Sequence, residues 1–356
     1  MGASVALAAR RRGDTVVGWD VDPDALAAAV ARDALEPAGS LEDAVRDADL
    51  VVVAAPIAAL AAQVEAVLAA PGAATVTDVG STKASVVAAA AGSPRFVGGH
   101  PICGSESRGA ENASAGLFEG ATWFLTPVAQ TDADRHRLVH GFITDVGATP
   151  VAIDADAHDR LVAMTSHVPH VLANIVANQT GEARVEGHEP LAHAGGSLRD
   201  MTRIAGANPR IWVDIFLDNA QAIRGALAEH RRRIEQVEAA LDQGDAGFLA
   251  RWIGEASGNR RRMLEREYPD PGALQRLRVH VPDRPGVLAA ITQALGADRI
   301  NIEDFDLHHM SPERGGTLQL LVQGEGEAQR AAAMLESQGY SVLVSPILDE
   351  EQSVEG

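Results

Sequence analysis

Thr15-Val16-Val17-Gly18-Trp19-Asp20-Val21-Asp22-Pro23 is a run of strand-forming residues that closes on an acid and passes at once into a helix start. β-Branched and aromatic side chains suit a half-buried strand, and Asp22 before Pro23 is an N-cap with proline at the first helical position. Working outward, Leu50-Val51-Val52-Val53-Ala54, Thr75-Val76-Thr77-Asp78-Val79 and Thr122-Trp123-Phe124-Leu125 read as further strands, and Pro56 marks a strand-to-helix turn. Strands alternating with helices over residues 1–150 predict an α/β Rossmann-type domain built on a doubly wound parallel sheet.

The opening of that domain departs from the pattern. A dinucleotide fingerprint needs a strand, glycines that let the backbone approach a diphosphate, and a helix whose N-terminus faces the phosphates. Met1-Gly2-Ala3-Ser4-Val5-Ala6 already reads as that helix, with Gly2 as the last fingerprint glycine, so the expectation is an N-terminally truncated domain that binds its dinucleotide weakly. Asp20, eighteen positions beyond Gly2, suits the ribose hydroxyls and repels a 2′-phosphate, which favours NAD over NADP.

Composition narrows the field. The 356 residues are 46% hydrophobic and 22% charged, enough for two or three folded domains. Apolar stretches are short and alanine-rich, so no membrane span is expected and the cytoplasm is the default location. A net charge of -19 disfavours nucleic acid and anionic lipid as partners. The single cysteine, Cys103, rules out a disulfide framework or a cysteine-based zinc cage, and no metal is expected.

Gly98-Gly99-His100-Pro101-Ile102-Cys103-Gly104-Ser105 follows a short apolar strand. A neutral imidazole on such a turn can take a proton near neutral pH, as removal of a hydride from an alcohol carbon requires, so His100 points to an oxidoreductase.

From Val151 to about residue 270 the chain reads as helical. A helix from Asp156 to about Glu182 carries His158, His167 and His170, and Pro169 within it predicts a bend that leaves the Thr165 carbonyl without its usual donor. His167 and His170 share roughly one face; they either approach a ligand or pack between helices. In Gly195-Gly196-Ser197-Leu198-Arg199-Asp200-Met201-Thr202-Arg203 one arginine can pair with Asp200 and leave Arg203 to hold a substrate carboxylate, the alternative being a surface ion pair. Asn208-Pro209 then predicts one helix to Asp242, about 50 Å long at 1.5 Å per residue, whose apolar stripe outruns a domain of this size and points to a homodimer.

These stretches resemble the prephenate dehydrogenases, NAD-dependent enzymes of tyrosine biosynthesis. The resemblance covers nearly the whole chain and rests on Asp78-Val79-Gly80-Ser81-Thr82-Lys83, Gly99-His100-Pro101-Ile102-Cys103-Gly104-Ser105-Glu106, Ser166-His167-Val168-Pro169-His170 and Asp200-Met201-Thr202-Arg203-Ile204-Ala205 followed by Trp212. It implies that His100 contacts the ring hydroxyl of prephenate, that Ser81 supports the histidine and the nicotinamide, that Arg203 binds substrate carboxylate, and that Ser105, His170, Gly196 and Trp212 line the site. It also implies a helical dimerisation domain over 151–270 and oxidative decarboxylation of prephenate to 4-hydroxyphenylpyruvate. The chain departs from the family in its missing glycine loop and in Cys103, where alanine is more usual.

After the turn-rich Glu267–Gly272, residues 274–347 alternate as strand, helix, two strands, helix, strand, which resembles an α+β ferredoxin-like ACT domain. The resemblance implies an amino-acid effector, with tyrosine the sensible one, held near Gly286 and Asn301; a module that binds nothing is the alternative. Residues 348–356 read as an acidic, solvated tail. Two further readings stay open: arogenate (cyclohexadienyl) dehydrogenase, and a catalytically dead amino-acid sensor.

Overall fold

A computed structural model describes the chain except for residues 105–108, 269, 312–314 and 348–356. The expected acidic tail and Ser105 lie outside the described residues. The chain divides into two compact units, Met1–Arg233 and Ile234–Gly356.

The first unit begins with α1 (Gly2–Arg12), β1 (Val17–Gly18), α2 (Pro23–Ala31), β2 (Glu36–Pro37), α3 (Leu41–Val45), β3 (Leu50–Val53), α4 (Ile57–Ala69), β4 (Thr75–Asp78), α5 (Ala84–Ala89), β5 (Phe96–Pro101), β6 (Thr122–Thr126), α6 (Ala133–Asp145) and β7 (Thr149–Ala152). The strands form two sheets: β1 pairs in parallel with β2, and the main sheet runs β3-β4-β5-β6-β7. The expected wholly parallel sheet is corrected at one ladder, because β5 and β6 run antiparallel, with His100 opposite Phe124. The local causes are those legible in the chain. Asp22 caps α2 through the Asp24 amide with Pro23 at the first position, and Asp132 caps α6 through the amides of Asp134 and Arg135.

Apolar side chains cover both faces of the main sheet. Val97, Trp123, Leu125, Phe142 and Ile143 form one buried cluster, and Val53, Leu60, Val64, Val76 and Phe96 another. Gly99 is required where these layers meet: a Cβ there would stand 2.5 Å from the Asp78 carbonyl and 2.9 Å from Trp123 Nε1.

The helical part of this unit continues with α7 (Ala155–Val162), a π-helical turn (Ala163–His167), α8 (Val168–Glu182), α9 (Gly196–Thr202), a short 3-10 turn (Arg203–Gly206), α10 (Pro209–Asp218) and α11 (Ala220–Gln243), which crosses into the second unit. Two expectations change here. The bend at Pro169 takes the form of the π turn just before it, in which the Val168 amide reaches back to the Ala163 carbonyl, five residues away. The single helix expected from Pro209 to Asp242 is divided at Asn219, whose buried side chain turns inward and bonds to the Asp159 carbonyl.

In the second unit α12 (Ala246–Leu264) precedes β8 (Leu274–Val281), α13 (Val287–Ala297), β9 (Asp304–Ser311), β10 (Gly315–Gln323), α14 (Glu325–Ser337) and β11 (Ser341–Pro346). The antiparallel sheet has the order β11-β8-β10-β9. Leu277, Val279, Leu318 and Leu320 form its core with Ile291 and Leu295 of α13 and Leu335 of α14. Gly286 sits at the head of α13 in the left-handed region (φ 89°), where a side chain would be strained. Among the described residues no helix is long and apolar enough to cross a membrane.

Replacing Gly99 by alanine is expected to lower the thermal unfolding midpoint of the full chain, equivalent to about 1–3 kcal/mol, because the added methyl meets backbone and a buried indole rather than a flexible side-chain end; differential scanning calorimetry checks it.

Candidate active site

The site is organised around the carboxyl end of β4. Asp78, wholly buried, accepts hydrogen bonds from the backbone amides of Gly80 (2.8 Å) and Gly99 (3.0 Å) and forms an ion pair with the equally buried Lys83. The Lys83 ammonium also donates to the Gly99 carbonyl at 2.7 Å. Burial pulls this ammonium below its ordinary pKa, and the charge and hydrogen bond of Asp78 oppose that shift. One carboxylate and one ammonium therefore fix both the peptide N–H and the C=O of the residue that precedes His100.

His100 Nδ1 lies 2.9 Å from His158 Nε2, and the two rings meet edge-on. His158, completely buried on α7, places its Nδ1 2.8 Å from an Asp159 carboxylate oxygen and packs against Phe124. That carboxylate also receives the backbone amides of Lys83 and Ala84, both at 2.8 Å. Burial works to raise the Asp159 pKa, but hydrogen bonds from His158 and from the two amides outweigh it and hold the carboxyl below its ordinary value. Burial, helped by the Lys83 charge, pushes the His100 pKa well below that of a free imidazole, so at neutral pH the ring is uncharged. Its Nε2 makes no hydrogen bond among the described residues.

A second set of contacts leads on from Asp159. Asn219 Nδ2 donates to the Asp159 carbonyl (2.8 Å) and lies 3.1 Å from His167 Nδ1. His167 in turn meets Trp212 edge-on, and Trp212 stacks on His170 with ring centroids 3.5 Å apart. The two readings left open for these histidines thus separate: His167 is buried between helices, whereas His170 is a partly buried ring paired with an indole. The turn that carries Arg203 packs on α8, the helix of His170. Arg203 is exposed, and among the described residues neither it nor Arg199 forms the expected ion pair with Asp200; solvated charges three apart gain little from pairing. Gly196 opens α9, and Ser81 lies in the β4–α5 loop, where its hydroxyl makes no hydrogen bond among the described residues.

The residues expected to hold a dinucleotide sit elsewhere on the same unit. Gly2 opens α1, and a Cβ there would come within 3.0 Å of the Ala54 side chain, so the first turn of α1 lies against the end of β3. That turn carries no acid, and among the described residues the exposed Asp20 carboxylate accepts only the Asp22 amide. This arrangement suits a diphosphate at the helix start and a ribose at the acid. In the second unit Asn301 Nδ2 bonds to Glu303 at 2.8 Å, on the loop before β9.

His158, Asp159 and Asn219 carry the site's connections, and sequence reasoning did not single them out. His158 and Asp159 stand in a helix like any polar pair, and only the packing of α7 on α5 brings them to His100. Among the described residues no group of three or more His, Cys, Asp or Glu side chains is placed to hold a metal ion.

A Rossmann-type unit with a neutral, partly buried imidazole beside a helical layer defines a nucleotide-binding dehydrogenase. Family models agree over most of the chain: the prephenate dehydrogenase nucleotide-binding domain matches residues 5–152, the prephenate dehydrogenase dimerization domain residues 154–255, and the ACT domain residues 275–333. A prephenate dehydrogenase from Bacillus subtilis (strain 168) is 32% identical over 349 residues, 95% of this chain and 93% of its own length. Among solved structures, an Aquifex aeolicus prephenate dehydrogenase in complex with hydroxyphenyl propionate and NAD+ aligns at TM-score 0.69 with 29% identity, over 74% of this chain and 94% of that one. A Synechocystis arogenate dehydrogenase aligns at TM-score 0.67 with 25% identity, over 73% of this chain and 95% of that one. The chain belongs to the prephenate dehydrogenase family.

The buried histidines make the fold acid-labile. Burial holds the His167 pKa down to about 4, and His100 is lowered in the same sense, so between pH 6.5 and 4 the unfolded chain takes up protons that the folded chain does not. Stability is therefore full above the ordinary histidine pKa and falls as pH drops towards 4. His167→Gln should flatten part of this fall, by up to about 3 kcal/mol at pH 4 for a shift of that size; urea titrations at stepped pH check it.

Proposed function

We propose that the chain catalyses the NAD-dependent oxidative decarboxylation of prephenate to 4-hydroxyphenylpyruvate. The observation that carries this reading is His100: neutral, partly buried, tied through Nδ1 to His158, and with Nε2 bonded to nothing among the described residues and so open to a substrate hydroxyl. NAD, when bound, supplies the hydride acceptor. The first turn of α1 would hold its diphosphate and Asp20 its ribose hydroxyls.

The chain's own residues handle the proton and the carboxylates. His100 takes the proton of the ring hydroxyl as the carbon beneath it loses hydride and becomes a carbonyl. The bond to the ring carboxylate then breaks, its electron pair flows into the ring, and carbon dioxide leaves. The oxygen that was a carbonyl ends as a phenolate and recovers the proton from His100, so no proton is lost overall. Arg203, exposed and with no ion pair among the described residues, is the guanidinium for a substrate carboxylate; the turn that carries it packs on α8, where His170 stacks on Trp212. Ser81, Ser105 and Gly196 complete the proposed lining. Prephenate and arogenate share the reacting ring, so the same groups serve either substrate, and assays with both decide the preference.

Two assembly features belong to the same reading. Exposed apolar side chains such as Ile175, Ile211, Val213 and Leu217 on α8 and α10 support a homodimer through the helical layer. The ACT match and the glycine turn at Gly286 support an amino-acid effector there, with tyrosine as end product and Asn301 as a further contact.

With prephenate and NAD, NADH formation followed at 340 nm is expected for the unaltered chain. His100→Asn should lower kcat by roughly a hundredfold or more with little change in KM, as for the loss of a positioned base. Arg203→Ala should chiefly raise KM for prephenate. The reverse pattern would exchange the two roles.

A further inference from the structure

We propose that His158 is a positioning residue of the reaction, which sets the tautomer of His100 and holds the abstracted proton between its removal from substrate and its return. The inference rests on the proposed role of His100 as base, and it concerns where that proton goes next.

The geometry fixes the direction of each hydrogen bond. Both Asp159 oxygens already accept backbone amides, from Lys83 and Ala84, and the carboxyl is held in its ionised form. Ionised, it can only accept, so His158 donates Nδ1–H to it. In the tautomer with its one proton on Nδ1, His158 turns a lone pair at Nε2 towards His100 Nδ1, 2.9 Å away, and His100 donates there. A neutral imidazole with its proton on Nδ1 has a lone pair on Nε2, and this is the one tautomer in which His100 can take a proton from substrate.

The same chain answers a difficulty of charge. Desolvation and the Lys83 charge both disfavour a proton resting on His100. The fixed charges around it are Lys83 and Asp78, which form an ion pair, and Asp159, whose hydrogen bonds among the described residues come from the His158 ring and two peptide amides. As the substrate hydroxyl gives its proton to His100 Nε2, His100 passes its Nδ1 proton to His158 Nε2. The charge then rests on a His158 imidazolium in contact with the Asp159 carboxylate, as a buried neutral pair. When the phenolate forms, both transfers run backward and His158 is neutral again; no atom or electron is gained or lost along the chain. His158 is fully enclosed and its acid is anchored by two peptide amides, so the chain is set before substrate arrives.

The first test uses the unaltered full-length chain labelled with 15N-histidine, with His100→Asn for assignment. The expected spectrum has His100 protonated at Nδ1 and bare at Nε2; a resting Nε2–H tautomer overturns the proposal. The second is single-turnover NADH formation from prephenate in mixtures of light and heavy water. The unaltered chain should give a curved proton inventory, for two protons moving together. His158→Gln, whose amide can accept from His100 and donate to Asp159 but cannot carry the proton, should give a linear one, with the rate reduced roughly 10–100-fold, a part of what a positioned base contributes, and KM values within about twofold of the unaltered chain. An unchanged single-turnover rate in His158→Gln, or a linear inventory in the unaltered chain, overturns the proposal. Should His158→Gln fail to fold, the tautomer of the unaltered chain and its inventory decide. Should the unaltered chain not turn over prephenate, the substrate reading fails and the tautomer alone decides the hydrogen-bond assignment.

Discussion

The buried contact between Asp78 and Lys83 is the constraint from which the rest of the site follows. Two charges withdrawn from water are costly unless every remaining donor and acceptor is used, and here they are used on the backbone. Asp78 holds the amides of Gly80 and Gly99, and Lys83 holds the Gly99 carbonyl. The peptide before His100 is thus clamped from both ends by residues of the neighbouring strand and loop. The main-chain amide of Lys83 then reaches Asp159, so the same residue joins the sheet to the helical layer. A hydrophobic pair of equal volume could fill this space, but it could not direct three peptide groups at once.

Around this clamp the sheet and the helices have divided duties. Strand β5 presents His100 and is free to do so because Gly98 and Gly99 leave no side chains to collide with Thr126 and Asp78. Helix α7 brings His158 and Asp159 from beyond the sheet, and Asn219, at the break between α10 and α11, secures Asp159 by its carbonyl and His167 by its ring. The break is the cost of that role, since a side chain turned inward to two polar partners cannot also continue a surface stripe.

How much of this could be read beforehand follows from the range of the forces involved. Strands at Leu50–Val53, Thr75–Asp78 and Thr122–Thr126 were legible to within a residue or so, because their patterns are local, and so was the whole order of elements from Leu274 to Pro346. Glu36–Pro37 and Thr149–Ala152 were missed, being short and without a clean alternation. His100 was legible from its glycine-rich setting, as was the family from its motifs. His158 was not, since its role is made by a neighbour 58 positions away, and adjacency in space leaves no local mark on a helix. Asn219 was hidden for the same reason, within a stripe that reads as continuous.

The π turn between α7 and α8 has a wider meaning for how this layer is phased. One extra residue in a turn rotates everything beyond it by about 100° about the helix axis. Upstream of the turn the helix is indexed to the start of α5 by Asp159, and downstream it is indexed to Trp212 through His170. A regular helix has a single rotational setting and could satisfy only one of those two surfaces. The widened turn ahead of Pro169 is a local change of gear that lets one continuous rod mesh with both.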